Sequence, residues 1–129
     1  MKYFLITNNP LVRDKFENVH ELVFVDGSFS EVLSRVRDAC HAGHILLTHP
    51  LSGSIKPNET LYKTVMLSKK QGITDFESVL LIEKAVETVN KFGQTRRRWQ
   101  EKELRDFQTV DLSLIESAME SCNENCDNV

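Results

Sequence analysis

The alternation of short β-rich runs with stretches of helical period limits this chain more than any other feature. "YFLIT" (3–7), "ELVFVDG" (21–27), "ILLTH" (45–49) and "TVMLS" (64–68) are each too short for a stable helix and are rich in branched or aromatic side chains. They read as strands. After the first, Asn9 is a good N-cap and Pro10 suits the first helical position, where a missing N–H costs nothing. Val12 and Phe16 then follow one turn apart. Ser28 and Glu31 have capping-box spacing, and Phe29, Val32, Leu33, Val36 and Cys40 recur at helical intervals until Gly43 supplies a stop. Thr74 and Glu77 repeat that spacing ahead of a long helix with Val79, Ile82, Val86 and Val89 on its inner face, ending near Gly93. "RRRWQEKELRD" (96–106) is a charged helical piece. "FQTV" (107–110) fits either a fifth short strand before an Asp111-capped helix, or the middle of one continuous helix carrying Leu114, Ile115 and Ala118.

Strands alternating with helices predict a single α/β domain over residues 1–121 and a flexible polar tail at 122–129. The expected architecture is a three-layer α/β/α sandwich on a mostly parallel, four- to five-stranded, Rossmann-like sheet. A chain of 129 residues suits one core, and 40% hydrophobic with 27% charged residues is close to the globular average, which excludes a disordered chain. The net charge of −3 lacks the basic footprint that nucleic acid requires. No apolar run approaches the ~20 residues that cross a bilayer. "MKYFLITNNP" has no small-residue cleavage site after it, so it reads as a strand and the protein is expected in the cytoplasm. Three widely spaced cysteines, Cys40, Cys122 and Cys126, fit a reducing compartment and no disulfide framework. Cys122 and Cys126 have no second pair with which to complete a metal site.

That topology bears on function. In open α/β sheets, ligands bind outside the carboxyl ends of the strands. Here those ends are Thr7, Asn8 and Asn9, then Asp26, Gly27 and Ser28, then the stretch "LLTHPLSGSIKPNET" (46–60). The stretch resembles a phosphate cradle. Ser52, Gly53 and Ser54 offer hydroxyls and close backbone N–H groups, Lys56 adds a point charge, and Asn58 and Glu59 complete the polar set beside Thr48 and His49. Neither GxxxxGK[ST] nor GxGxxG is present, so no nucleotide is expected, and no other cofactor is indicated. The helix starts at Pro10 and Ser28 add partial positive charge at the same edge. The structural alternative is a long loop, held by Pro50 and Pro57, that only satisfies its own backbone.

His41, His44 and His49 do not make a metal site. His44 precedes a strand and His49 ends it, roughly 16 Å apart at ~3.3 Å per residue, so one ion cannot bridge them. His49 is the candidate for acid–base chemistry, with Glu59, Ser52 or Asp26 as partner, against the plainer role of a hydrogen-bonding strut. Arg96, Arg97, Arg98 and Trp99 read as a solvated helix face pairing with Glu101, Glu103 and Asp106. The alternative is a docking surface for an acidic partner or a second copy of the chain, since Trp and Arg are frequent interface anchors.

Three blocks together, "ITNNPLV", "LLTHPLSGSIKPNETLYK" and "DFQTVDLSLIE", resemble the GrdX family, over most of residues 3–116. Members are small proteins encoded with the glycine, sarcosine and betaine reductases of amino-acid-fermenting anaerobes. The resemblance implies an accessory role beside selenoproteins that use thiol chemistry and release acetyl phosphate. It carries over no catalytic residue. With no selenocysteine and no CxxC pair, this chain is not expected to be a redox component itself. The leading expectation is that it senses or holds a small anionic or phosphorylated metabolite. Its rivals are a module that assists assembly of the reductase subunits through the Arg96–Trp99 region, and a small enzyme using His49.

Overall fold

The computed structural model describes residues 2–51, 61–92 and 98–126. Its elements are β1 (Tyr3–Thr7), α1 (Pro10–Phe16), β2 (Leu22–Phe24), α2 (Phe29–His41), β3 (Thr64–Ser68), α3 (Phe76–Phe92) and α4 (Glu101–Cys126). Strand periodicity sends alternate residues of β1 to opposite faces. Phe4 and Ile6, with Val65 and Leu67 of β3, join the core made by α2 and α3. Tyr3 and Leu5, with Met66, join Val12 of α1 and Ile115 and Met119 of α4. β1 is therefore buried along its whole length, which explains why it reads as an unbroken apolar run.

The sheet overturns the expected mostly parallel, four- to five-stranded, Rossmann-like sandwich. Among the described residues it has three strands in the order β2-β1-β3, with β1 parallel to β2 and antiparallel to β3. The run at 45–49 makes only a bridge, Leu46 to Leu67. Leu47 N–H reaches Met66 O at 2.9 Å and Ser68 N–H reaches Ile45 O at 2.9 Å. Side chains then take over the ladder. Ile45 N–H donates to the Ser68 hydroxyl, Leu46 N–H to the Ser78 hydroxyl, and Met66 N–H to the Thr48 hydroxyl. The direction of β3 has a separate cause. A parallel return needs a long crossover, usually a helix, and the proline-containing connection after His49 has no helical period. The chain comes back beside the segment it has just left, and so runs against β1.

The helix ends follow local chemistry. Asn9 Oδ1 accepts Leu11 N–H with Pro10 in the first turn, and the Ser28 hydroxyl accepts Glu31 N–H. At α3, the side chain that accepts is Asp75 rather than Thr74: its Oδ2 takes both Ser78 N–H (3.1 Å) and the Ser78 hydroxyl (2.6 Å). Gly43 sits at φ +105°, where a Cβ would stand 2.1 Å from Gly72 O, so only glycine fits. α4 runs unbroken through 107–110 and on to Cys126, and Cys122 packs against the α1/α4 core. Residues 127–129 lie outside the described residues. No helix among the described residues is long and apolar enough to cross a membrane.

Candidate functional site

The carboxyl end of β1 is tied down by two asparagines. Asn8 Nδ2 donates to Gly27 O (3.1 Å) and Leu61 O (2.8 Å), and Asn8 Oδ1 accepts Lys63 N–H at 2.9 Å. One amide thus joins three segments distant in sequence. Asn9, fully buried, uses its oxygen as the α1 cap and its Nδ2 to reach Gln108 O and Asp111 Oδ2, each at 2.9 Å.

Asp111 is the hub. Its Oδ1 accepts Thr64 N–H at 3.0 Å and its Oδ2 accepts the Thr64 hydroxyl at 2.7 Å. Because that hydroxyl has one proton, the 2.7 Å contact between Thr7 Oγ1 and Thr64 Oγ1 must be donated by Thr7. Thr7 Oγ1 in turn accepts Asn9 N–H at 3.0 Å. A one-way relay results, from the Asn9 amide through two hydroxyls to the carboxylate. Sequence reasoning gave Asp111 only a capping role. The signal was present: in a continuous helix, Asp111 shares a face with Ile115 and Met119, and a carboxylate on an apolar stripe needs buried donors.

Beside this relay lies a cavity of ≈ 80 Å³. Its polar wall is Thr48, His49, Lys63, Thr64 and Asp111, and its apolar wall is Leu114, Ile115 and Ala118 of α4. Lys63 is buried, which lowers its pKa from the usual 10.5, while the Asp111 carboxylate pulls it back up. His49 is exposed, and its Nδ1 accepts Leu51 N–H at 3.1 Å. That bond leaves the proton of the neutral ring on Nε2.

Of the residues expected at this edge, Thr7, Asn8, Asn9, Thr48 and His49 converge there, and Thr48 and His49 line the cavity itself. Ser28 is brought near by the Asn8 bond to Gly27, but its hydroxyl caps α2 and does not line the cavity. Ser52, Gly53, Ser54, Lys56, Asn58 and Glu59 lie outside the described residues, as do Arg96 and Arg97. Arg98 is exposed, and Trp99 packs edge-on against Phe107 with ring centroids 4.8 Å apart.

The other titratable groups are engaged elsewhere. His44 Nδ1 donates to Ser68 O at 2.8 Å, and His41 meets Glu83 at 3.0 Å between α2 and α3. Burial, with Asp75 adding, pushes the Cys40 thiol up to about 11, so it is not a nucleophile near neutral pH. Among the described residues no group of three or more His, Cys, Asp or Glu is placed to hold a metal ion.

Comparison with curated proteins and with solved structures returns no match. A family model does match, that of the GrdX-like proteins, over residues 4–120 of the 129. The match takes in β1 from Phe4, the Asn8 and Asn9 ties, the cavity and α4 as far as Glu120. The chain belongs to the GrdX-like protein family.

Proposed function

We propose that this protein is an accessory factor of the glycine, sarcosine and betaine reductase system that holds a small anionic or phosphorylated metabolite at the carboxyl edge of β1. Membership of the GrdX-like family supports the association with the reductases. One observation carries the binding role: a buried lysine, Lys63, lines a cavity together with Thr48, His49 and Thr64. An ammonium in a partly desolvated wall attracts an anion more strongly than the same group in water. Asp111 opposes this, but its charge is already met by three donors from Thr64 and Asn9. The serines and Lys56 of "LSGSIKPNE" belong to the same proposal by their place in the chain, between two residues that flank this edge, Leu51 and Leu61.

Calorimetric titration with inorganic phosphate and acetate tests the reading. Lys63→Met is expected to weaken either anion by about tenfold or more, the scale of a charge-assisted hydrogen bond. Absence of heat with both anions for the unmutated protein overturns it.

A second reading, a module that assists assembly of the reductase complex, is favoured by a different observation. Ile73 is 96% exposed, Phe76 76% and Leu80 45%, three large apolar side chains at helical spacing around the start of α3. Trp99, the anchor expected from sequence for such a role, rests on Phe107 of its own chain. Capture of reductase subunits that survives Trp99→Ala but is lost with Phe76→Ser would support this reading at α3.

A further inference from the structure

The cavity has two kinds of lining, and α4 supplies all of the apolar one together with the Asp111 carboxylate, which Thr64 and Asn9 already satisfy. The other polar residues are Lys63, just before β3, Thr64 at its start, and Thr48 and His49 from the segment beside it. The apolar lining is one turn of α4, Leu114, Ile115 and Ala118, about 6 Å long at 1.5 Å per residue. A wholly polar anion such as inorganic phosphate would satisfy its oxygens on the polar lining and turn others toward side chains with no donor. Desolvating a polar group without a hydrogen bond is unfavourable.

We infer that the ligand of this cavity joins its anionic group to a short, unbranched aliphatic chain, with the anion on the Lys63 side and the chain against α4. The inference rests on the anion-binding reading and narrows it to a ligand class. Size sets the limit. A volume of ≈ 80 Å³ compares with the ~30 Å³ that a water occupies in the liquid. Between two and three groups of that size fit inside, the anionic group among them, so one or two carbons beyond it fill the space and a longer chain must leave by the mouth. Leu114, 42% exposed, is the most exposed of the three apolar lining residues.

Titration with inorganic phosphate, acetate, propionate, butyrate and hexanoate, each as the sodium salt, separates the possibilities. The expected result is a gain of about fourfold from acetate to propionate, equivalent to ~0.8 kcal/mol per buried CH₂, with no comparable gain at butyrate or hexanoate. Leu114→Ser should cost propionate more than acetate, because the lost contact is with the chain. Ala118→Val should move the best chain length down by about one carbon, and thermal melting of both variants checks that they fold. If phosphate and acetate bind but affinity does not rise from acetate to propionate, the inference is overturned and the anion-binding reading stands. If none of the five probes binds, both fall.

Discussion

Against α2 and α3 the sheet meets an extensive apolar core in which Leu33, Val36, Leu67 and Ile82 are fully buried. Against α1 and α4 the core is smaller, and its helical stripe of Ile115 and Met119 continues into a buried carboxylate, Asp111. The two faces should fail differently. Apolar packing loses stability by degrees as volume is removed. A hydrogen-bonded network loses it in steps, because one missing partner leaves the others unsatisfied in a medium that penalises them. The cavity lies on the second face, so the site is attached to the part of the fold least tolerant of single changes.

The largest expected effect tests that contrast. Asp111→Ala strands Thr64 N–H, the Thr64 hydroxyl and Asn9 Nδ2, and should cost about 3–5 kcal/mol by urea denaturation. Leu33→Ala, on the apolar face, should cost a comparable 2–5 kcal/mol. What separates them is rescue. A Thr64→Val change added to Asp111→Ala should recover part of the loss by removing a stranded hydroxyl, and no such partner exists for Leu33→Ala. Additive losses for Asp111 and Thr64 would break the comparison.

Asn9→Ala comes next, at about 1–2 kcal/mol, since it removes the α1 cap and one donor to Asp111. The loss should shrink when Asp111 has already been replaced, a coupling that a double-mutant cycle measures.

Lys63 gives a smaller, pH-dependent effect. Burial holds its folded-state pKa below the usual 10.5. Between that lowered value and 10.5 the unfolded chain binds a proton that the folded chain does not, so this group makes wild-type stability rise with pH across the window. Below the lowered pKa its penalty is present in full, and by 10.5 it is nearly gone. Lys63→Met has none of it. The stability of the variant minus that of wild type should therefore fall as pH rises from 7 towards 10.5. A difference independent of pH would show that the ammonium is not desolvated.

The smallest effect belongs to neither face. Phe76→Ser, at a 76% exposed position, should change monomer stability by no more than about 0.5 kcal/mol. A larger loss that grows with protein concentration would mean that a second copy covers this position.

Much of this was legible in the sequence because the chemistry concerned is local. The Asn9 and Ser28 caps, and the buried stripe of Phe29, Val32, Leu33, Val36 and Cys40, each depend on residues within a turn or two of one another. The convergence of Thr7, Asn8, Asn9, Thr48 and His49 was legible for a different reason: whatever the sheet order, parallel segments end on the same side. What escaped is non-local. Ile45 to His49 has the composition of a strand, but its Ile45 and Leu46 N–H groups go to the hydroxyls of Ser68 and Ser78, and its Thr48 hydroxyl accepts Met66 N–H, none of which composition reveals. The reversal of β3 shows only in its pairing with β1 and its bridge to Leu46, both far from it in sequence. Asp111 lies 47 residues from Thr64 and 102 from Asn9, so no window of the chain contains the reason for its burial.

The one-way relay has a spectroscopic consequence. The Thr7 side chain is fully buried and Thr64 is 3% exposed, and each hydroxyl proton is held between two fixed oxygens. Hydroxyl protons in water normally exchange too fast to be observed. These two should exchange slowly enough to give separate proton resonances, downfield of ordinary alcohols, at the short oxygen–oxygen distances of 2.7 Å. Thr64 also borders the cavity, so its proton is a built-in reporter: a ligand that enters should move that line while leaving resonances from the α2 and α3 side in place.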